Sequence, residues 1–323
     1  MTQAPTPTAD TVRQLARTLL HQGGKGEAGD KSAAAAAAPE VRPAAQGGGH
    51  STWWVGTRHV LCLATDRDAS LRRRREVRLR DLVRPHLPVA VPSAVAQGEW
   101  APGLAYTLDT RIAGGTADRH DVSAVGEDDL AGVLSGMREV PVRQAETLGV
   151  PRLAPRSLEA LRRMAVHAAE DLGKADEFDP ARIAQLTAPA AAQLAAQPGT
   201  AVLVHHALRG ENVVVSADGR VRGVLDWTDA VVGDPAEDIA GLALAVGAPA
   251  AVRAATLAGY GARPCLRGLW LARCDSVIRL ADRFQGRDDS PLPLLRTQLR
   301  RAWEAILLER VTEFREDDKG EET

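Results

Sequence analysis

The stretch VLVHHALRGENVVV, Val202 to Val215, sets two apolar, strand-like runs on either side of a polar loop. The loop opens on His205 and His206 and closes on Asn212, which starts the second run. Neighbouring residues on extended backbone point to opposite faces, so the two histidines do not share one ion, and each reads better as a single structural or catalytic side chain. Immediately downstream, ENVVVSADGRVRGVLDW carries two β-branched segments around Asp218-Gly219, a favoured hairpin turn. Pairing outward from that turn places Asn212 beside Leu225 or Asp226 at the open end. Residues opposed across such a ladder have Cβ atoms about 4.5–5.5 Å apart, so an amide oxygen and a carboxylate converge on one point. That donor set suits magnesium, which takes one or two protein oxygens and leaves its other positions to water and phosphate.

The chain around this hairpin has the composition of a folded protein. Its 323 residues are 45% hydrophobic, enough for one large core or two modest ones. A formal net charge of -2 argues against bulk electrostatic binding of a polyanion, so nucleic acid is not an expected partner. The polar N-terminus MTQAPTPTAD has no basic region followed by an apolar core, and the alanine run Ala33 to Ala38 is too short to span a bilayer, which leads to the expectation of a cytoplasmic protein with no membrane segment. Cys62, Cys265 and Cys274 show no C-x-x-C spacing and read as reduced, buried thiols. The lysines are Lys25, Lys31, Lys174 and Lys319 alone, so any site that needs a lysine between residues 32 and 173 has none.

Periodicity divides the chain into five parts. Residues 1–21 contain an amphipathic helix, TVRQLARTLL, with Asp10 as its expected cap. Residues 22–46 are rich in Gly, Ala and Pro and read as a linker. Residues 47–112 alternate short strands with one helix, SLRRRREVRLRDLVRPHL, whose apolar positions Leu71, Val77, Leu79, Leu82 and Val83 stand among arginines expected to be solvated. PVAVPSAVAQGEW and LAYTLDTRIAGG read as further strands of this small lobe. Residues 113–313 are helical in period apart from the hairpin, and 314–323 form an acidic tail. Strands first and helices later describe an α+β chain with a small β-rich N-lobe and a larger, mostly helical C-lobe.

The run VHHALRGENVVV, followed by GVLDWTDAVVGDPAEDIA, resembles the core of the aminoglycoside phosphotransferase family, written H-G-D-x-x-x-x-N, then I-D-W and G-D-P-x-x-D-L-A. The resemblance continues upstream through GGGHSTWWVGTRHVLCLAT, RRREVRLRDLVRPHLPVAVP, YTLDTRIAGG and LAGVLSGMREVPVRQAETLGVP, from about residue 47 to about residue 311. It implies a bilobal, protein-kinase-like fold, ATP or another nucleoside triphosphate with magnesium as cofactors, and transfer of the γ-phosphoryl group to a hydroxyl of a small molecule such as an antibiotic. By position, Asn212 and Asp226 would be the metal ligands and His205 would brace the loop. Asp234 and Asp238 would act as structural acceptors or helix caps. Cys62 and Glu76 would face the nucleotide's phosphates, and the backbone from Leu108 through Thr110 to Ile112 would meet the base.

Two positions depart from the family pattern. Ala207 stands where kinase loops carry the aspartate that accepts the substrate hydroxyl's proton. Cys62 stands on the strand position that carries the phosphate-binding Lys or Arg, which leaves Glu76 without its expected partner; Arg58, on the same face of a regular strand, is the nearest candidate to replace it. His206 or Glu211 is available in the loop as a substitute proton acceptor. The sequence therefore supports two readings, an impaired phosphotransferase and a catalytically inactive, pseudokinase-like binding protein that keeps a nucleotide or ligand pocket.

Overall fold

The computed structural model describes residues 6–23, 39–47, 50–197 and 199–306, arranged as two compact units. The first comprises Met1–Arg84 with Val91–Ile112, the second Pro85–Ala90 with Ala113–Thr323.

The first unit is built on a five-stranded antiparallel sheet of strands β1 (Val41–Gly47), β2 (His50–Val55), β3 (His59–Ala64), β4 (Ala94–Ala101) and β5 (Leu104–Thr110), in the order β1-β2-β3-β5-β4. Two helices, α1 (Ala9–Gly23) and α2 (Arg67–Val83), cover its two faces. Successive side chains of β3 alternate between them. Leu61 and Leu63 pack with Leu108, Tyr106 and the α1 residues Val12, Ala16 and Leu19, whereas Ala64 packs with Ala69 of α2. Asp66 caps α2 by accepting the Ala69 N–H at 2.7 Å.

Three expectations change here. The α1 helix starts at Ala9, and Thr8 rather than Asp10 accepts the first free N–H, that of Thr11 at 3.2 Å; Asp10 pairs with Arg13 instead. Residues 41–46, expected as the end of the linker, belong to strand β1, which pairs with β2 through a register that slips at Pro43–Ala45. On α2, Val77, Leu79 and Val83 are buried and Arg74 and Arg78 exposed as expected, but Leu71 is exposed and Arg73 and Arg80 are buried. The remaining linker residues 24–38 and the acidic tail lie outside the described residues.

The second unit is mostly helical. It contains β6 (Gly115–Thr116), α3 (Ala124–Glu139), α4 (Val142–Thr147), α5 (Leu158–Lys174), α6 (Pro180–Ala184), α7 (Ala188–Gln193), β7 (Val202–Val204), β8 (Val213–Val215), β9 (Val221–Val224), β10 (Val231–Gly233), α8 (Ala236–Val246), α9 (Ala248–Leu257), α10 (Ala262–Phe284) and α11 (Leu292–Ala302). PVAVPSAVAQGEW yields only β4, because its prolines cannot donate to a ladder; Ala90 instead makes an isolated bridge to Gly223 within the second unit. Residues 180–193 form two helices, the second capped by Thr187, which accepts from Ala190. Helix α8 is apolar on nearly all sides and is buried among α9, α10 and α11. The strands lie in two small sheets, β6-β8-β9 and β10-β7, which bring the loop after β7 and the open end of the β8–β9 hairpin together. Among the described residues no helix is long and apolar enough to cross a membrane.

Candidate functional site

The hairpin register agrees with the sequence reading. Val213 pairs with Val224 and Val214 with Gly223, the pairing shifts before Val215–Val221, and Gly219 takes the positive φ of +76° that its turn requires. One step beyond the ladder, Leu225 N–H donates to Asn212 O at 2.8 Å, so Asn212 lies opposite Leu225 and adjacent to Asp226.

The loop before the hairpin is held from three sides. Asp238, on α8, accepts the backbone N–H groups of His205 at 2.7 Å and His206 at 2.8 Å. Burial pushes its carboxyl up to about 7, against the pull of those two N–H donors. The fully buried His205 ring donates from Nε2 to Leu225 O at 2.9 Å, accepts the Ala207 N–H at Nδ1, and stands edge-on to Trp227 with centroids 4.6 Å apart. Burial lowers its pKa to about 4, so it is neutral near pH 7 and works as a fixed brace. Finally, Asn212 Nδ2 donates to Ala207 O at 2.9 Å. An amide whose nitrogen is fixed this way presents its oxygen as the remaining ligand atom.

His206 has φ 65°, a left-handed conformation that costs a residue with a Cβ about 1–2 kcal/mol and suits the glycine of the family motif. Asp226 has φ 55° and accepts from Thr228 Oγ1 at 2.5 Å, which fixes its carboxylate. Asp234 accepts the Ala236 N–H at the start of α8 and Arg267 Nε at 2.6 Å, the structural role expected of it. The sequence reading missed Asp118. A Cβ at Gly210 would run into its Oδ1, which is buried with no hydrogen-bond partner among the described residues. Burial first, then Glu211, raises the Asp118 pKa. No spacing rule ties residue 118 to residues 210 and 211, because the contact is set by β6 pairing with β8.

Asn212 and Asp226 fit magnesium in number and chemistry, as one amide oxygen and one carboxylate. Among the described residues no group of three or more His, Cys, Asp or Glu could hold a metal ion, so a cation here would need additional oxygens such as those of phosphates.

In the first unit, Cys62 is buried on the α2 side of β3, in register with Thr52 and Thr107. Burial pushes its thiol up to about 11, and Arg73 is the largest counteracting charge. Glu76 is not left without a partner: Arg73 Nη1 donates to its Oε2 at 2.5 Å. The basic partner comes from the helix itself, and Arg58 does not supply it, because Arg58 is exposed in the turn before β3 begins. Arg80 makes two 3.0 Å bonds to Asp109. Leu108 buries its side chain on the α1 side of the sheet, and Thr110 Oγ1 accepts from Ser93 N–H at 3.1 Å.

The model of the phosphotransferase enzyme family matches residues 40–269. The chain belongs to that family. Solved structures with the same fold include an aminoglycoside 2'-phosphotransferase-IIIa in complex with GDP, at 17% identity and a TM-score of 0.62 over 90% of this chain and 98% of that one. The macrolide 2'-phosphotransferase MphH of Brachybacterium faecium matches at 21% identity and a TM-score of 0.54, over 82% of this chain and 92% of its own. ADP-bound aminoglycoside phosphotransferase APH(2'')-Ib matches at 16% identity and 0.53, over 91% and 98%. At such identities the likeness is one of fold. A 41-residue stretch is 46% identical to the uncharacterized protein YcbJ of Bacillus subtilis, and that match spans 13% of each chain. The phosphotransferase fold is thus α+β and bilobal, protein-kinase-like, with a small antiparallel sheet in the N-lobe and a helical C-lobe.

Proposed function

We propose that this phosphotransferase-family protein binds ATP, or another nucleoside triphosphate, with magnesium held by Asn212 and Asp226, and that it transfers the γ-phosphoryl group to a small hydroxylated molecule slowly, because position 207 has no proton acceptor. The observation that carries the reading is the bond from Asn212 Nδ2 to Ala207 O. The Asn212 amide is held through the main chain of residue 207, where the family pattern has an aspartate and this chain carries a methyl group.

The order of effects follows from magnitudes. Phosphoryl transfer rests chiefly on positioning and on stabilising the charge of the transferred group. A positioned general base adds a factor of about 10²–10⁴, or roughly 3–5 kcal/mol of barrier. Its loss slows the reaction and leaves nucleotide binding intact. When bound, magnesium would neutralise charge on the phosphates. The chain's own contribution is to hold the Asn212 amide through Ala207 and the hairpin, and to fix Asp226 through Thr228.

His206 and Glu211 are the loop's other candidate proton acceptors, and Asp118, a second carboxylate beside Glu211, is a third. The folds that match include proteins described with kanamycin and gentamicin, which supports an acceptor among hydroxylated small molecules. In and just after α10, Arg267 pairs with Asp234, Arg279 with Asp288 and Arg287 with Asp282, so these charges favour neither a cationic nor an anionic acceptor. The second reading, a non-catalytic protein that binds nucleotide, is favoured by one observation, the missing side-chain oxygen at Ala207.

Calorimetric titration of ATP with and without magnesium, followed by single-turnover ATP consumption, tests the proposal. Magnesium-enhanced binding with slow turnover supports it. Magnesium-enhanced binding with no turnover favours the non-catalytic reading, and ATP affinity indifferent to magnesium removes the Asn212–Asp226 assignment.

A further inference from the structure

Behind Cys62 lies a set of buried charges, of which the sequence reading places the two arginines in solvent. Arg73, Glu76 and Arg80 of α2 and Asp109 of β5 are all nearly fully buried, with relative exposures of 6%, 1%, 2% and 4%. Thr107, in register with Cys62, donates its hydroxyl to Asp109 Oδ2 at 3.1 Å. The set is neutral as a whole, two guanidinium groups against two carboxylates. Even so, taking each ion out of water costs several kcal/mol before pairing recovers it, and apolar side chains of similar volume would fill the same space without that cost. Stability alone does not account for the arrangement.

The two pairs differ. Arg80 and Asp109 form a closed, two-pronged bond between helix and sheet, the geometry of a structural clamp. Arg73 pairs with Glu76 one helical turn away, beside Cys62. In kinase-like sites the strand cation does two things at once, pairing with the helix glutamate and with the nucleotide's phosphates, and both contacts must be in place. Here the strand offers the short side chain of Cys62, and the helix glutamate is paired all the same. We propose that Arg73 supplies from helix α2 the phosphate-binding cation that strand β3 lacks, with Glu76 as its positioning partner and the small side chain of Cys62 leaving the room it occupies.

This inference rests on the nucleotide-binding reading above and makes a distinct demand on it. Cys62 and Arg73 are a compensated pair: a lysine at 62 would bring a second buried positive charge against Arg73, whereas the same lysine with Arg73 neutralised would restore the ordinary arrangement.

The experiment measures binding of ATP and of adenosine, with magnesium present, to the parent, Arg73→Met, Cys62→Lys and the double variant. Arg73→Met should weaken ATP by about tenfold to a hundredfold, the worth of a charge-assisted hydrogen bond, and leave adenosine unchanged. Cys62→Lys alone should also weaken ATP, and the double variant should bind it more tightly than either single. Equal ATP affinity for parent and Arg73→Met overturns the inference. So does a parallel loss of ATP and adenosine binding that the double variant fails to reverse, since that is the signature of a damaged fold. A parent that binds neither ligand overturns the nucleotide-binding reading itself and this inference with it.

Discussion

Asn212 Nδ2 donates to the carbonyl oxygen of Ala207 across 2.9 Å, so the amide proposed to face a metal is braced by the backbone of the residue that stands where the family pattern has an aspartate. The bond uses only the main chain of residue 207 and so does not depend on which side chain stands there. Loop shape and proton acceptance are therefore separable here.

Asn212→Ala removes both the brace and the amide oxygen. Loss of one such hydrogen bond should cost about 1 kcal/mol of stability. Denaturant titration reads that cost. The same variant should bind ATP equally with and without magnesium, and a retained magnesium effect would mean that Asp226 suffices or that the ion lies elsewhere.

His206→Gly should stabilise the protein by up to about 1 kcal/mol. The left-handed conformation at φ 65° costs a residue with a Cβ about 1–2 kcal/mol, and the glycine returns about 0.5–1 of that as extra entropy of the unfolded chain. A higher denaturation midpoint with unchanged turnover is the expected pair of results. A fall in turnover would identify His206 as the proton acceptor.

The pH dependence of stability should carry the mark of His205. Its folded pKa of about 4 lies below the ordinary 6.5, so the unfolded chain binds the proton first as pH falls. The contribution is full above about pH 6.5 and is lost on acidification towards pH 4, by on the order of 3 kcal/mol. Asp238 acts in the opposite sense, because its folded pKa is raised to about 7: its contribution is full below the ordinary carboxylate range and is lost as pH rises towards 7. Comparing the parent with His205→Gln isolates the histidine. The parent's advantage should shrink from pH 7 to pH 4, and a constant difference would show that the ring is protonated or solvated in the folded state.

The hairpin and the closeness of Asn212 to Asp226 at its open end were legible in the sequence because Asp218-Gly219 fixes a turn and the β-branched runs fix a period of two, so register follows from counting. The roles of Asp234 and Asp238 followed the family motif. The burial of Arg73 and Arg80 was not legible, since nothing local distinguishes an arginine that solvates a helix from one whose carboxylate partner waits on a sheet. Arg80 finds Asp109 twenty-nine residues away in sequence. Asp118 escaped for the same reason: it reaches Gly210 only through the pairing of β6 with β8. Strand β1 was hidden by its Ala, Pro and Gly content, and it forms because β2 offers it an edge.

The central claim is that this loop is intact except for its proton acceptor, and the most direct measurement is single-turnover ATP consumption by the parent and by Ala207→Asp at saturating ATP and magnesium, in the presence of hydroxylated acceptors. The substitution should raise the rate by up to about 10²–10⁴, the contribution of a positioned base, with ATP affinity unchanged. A parent already as fast as Ala207→Asp, or a variant that binds ATP normally and gains nothing, would contradict the account.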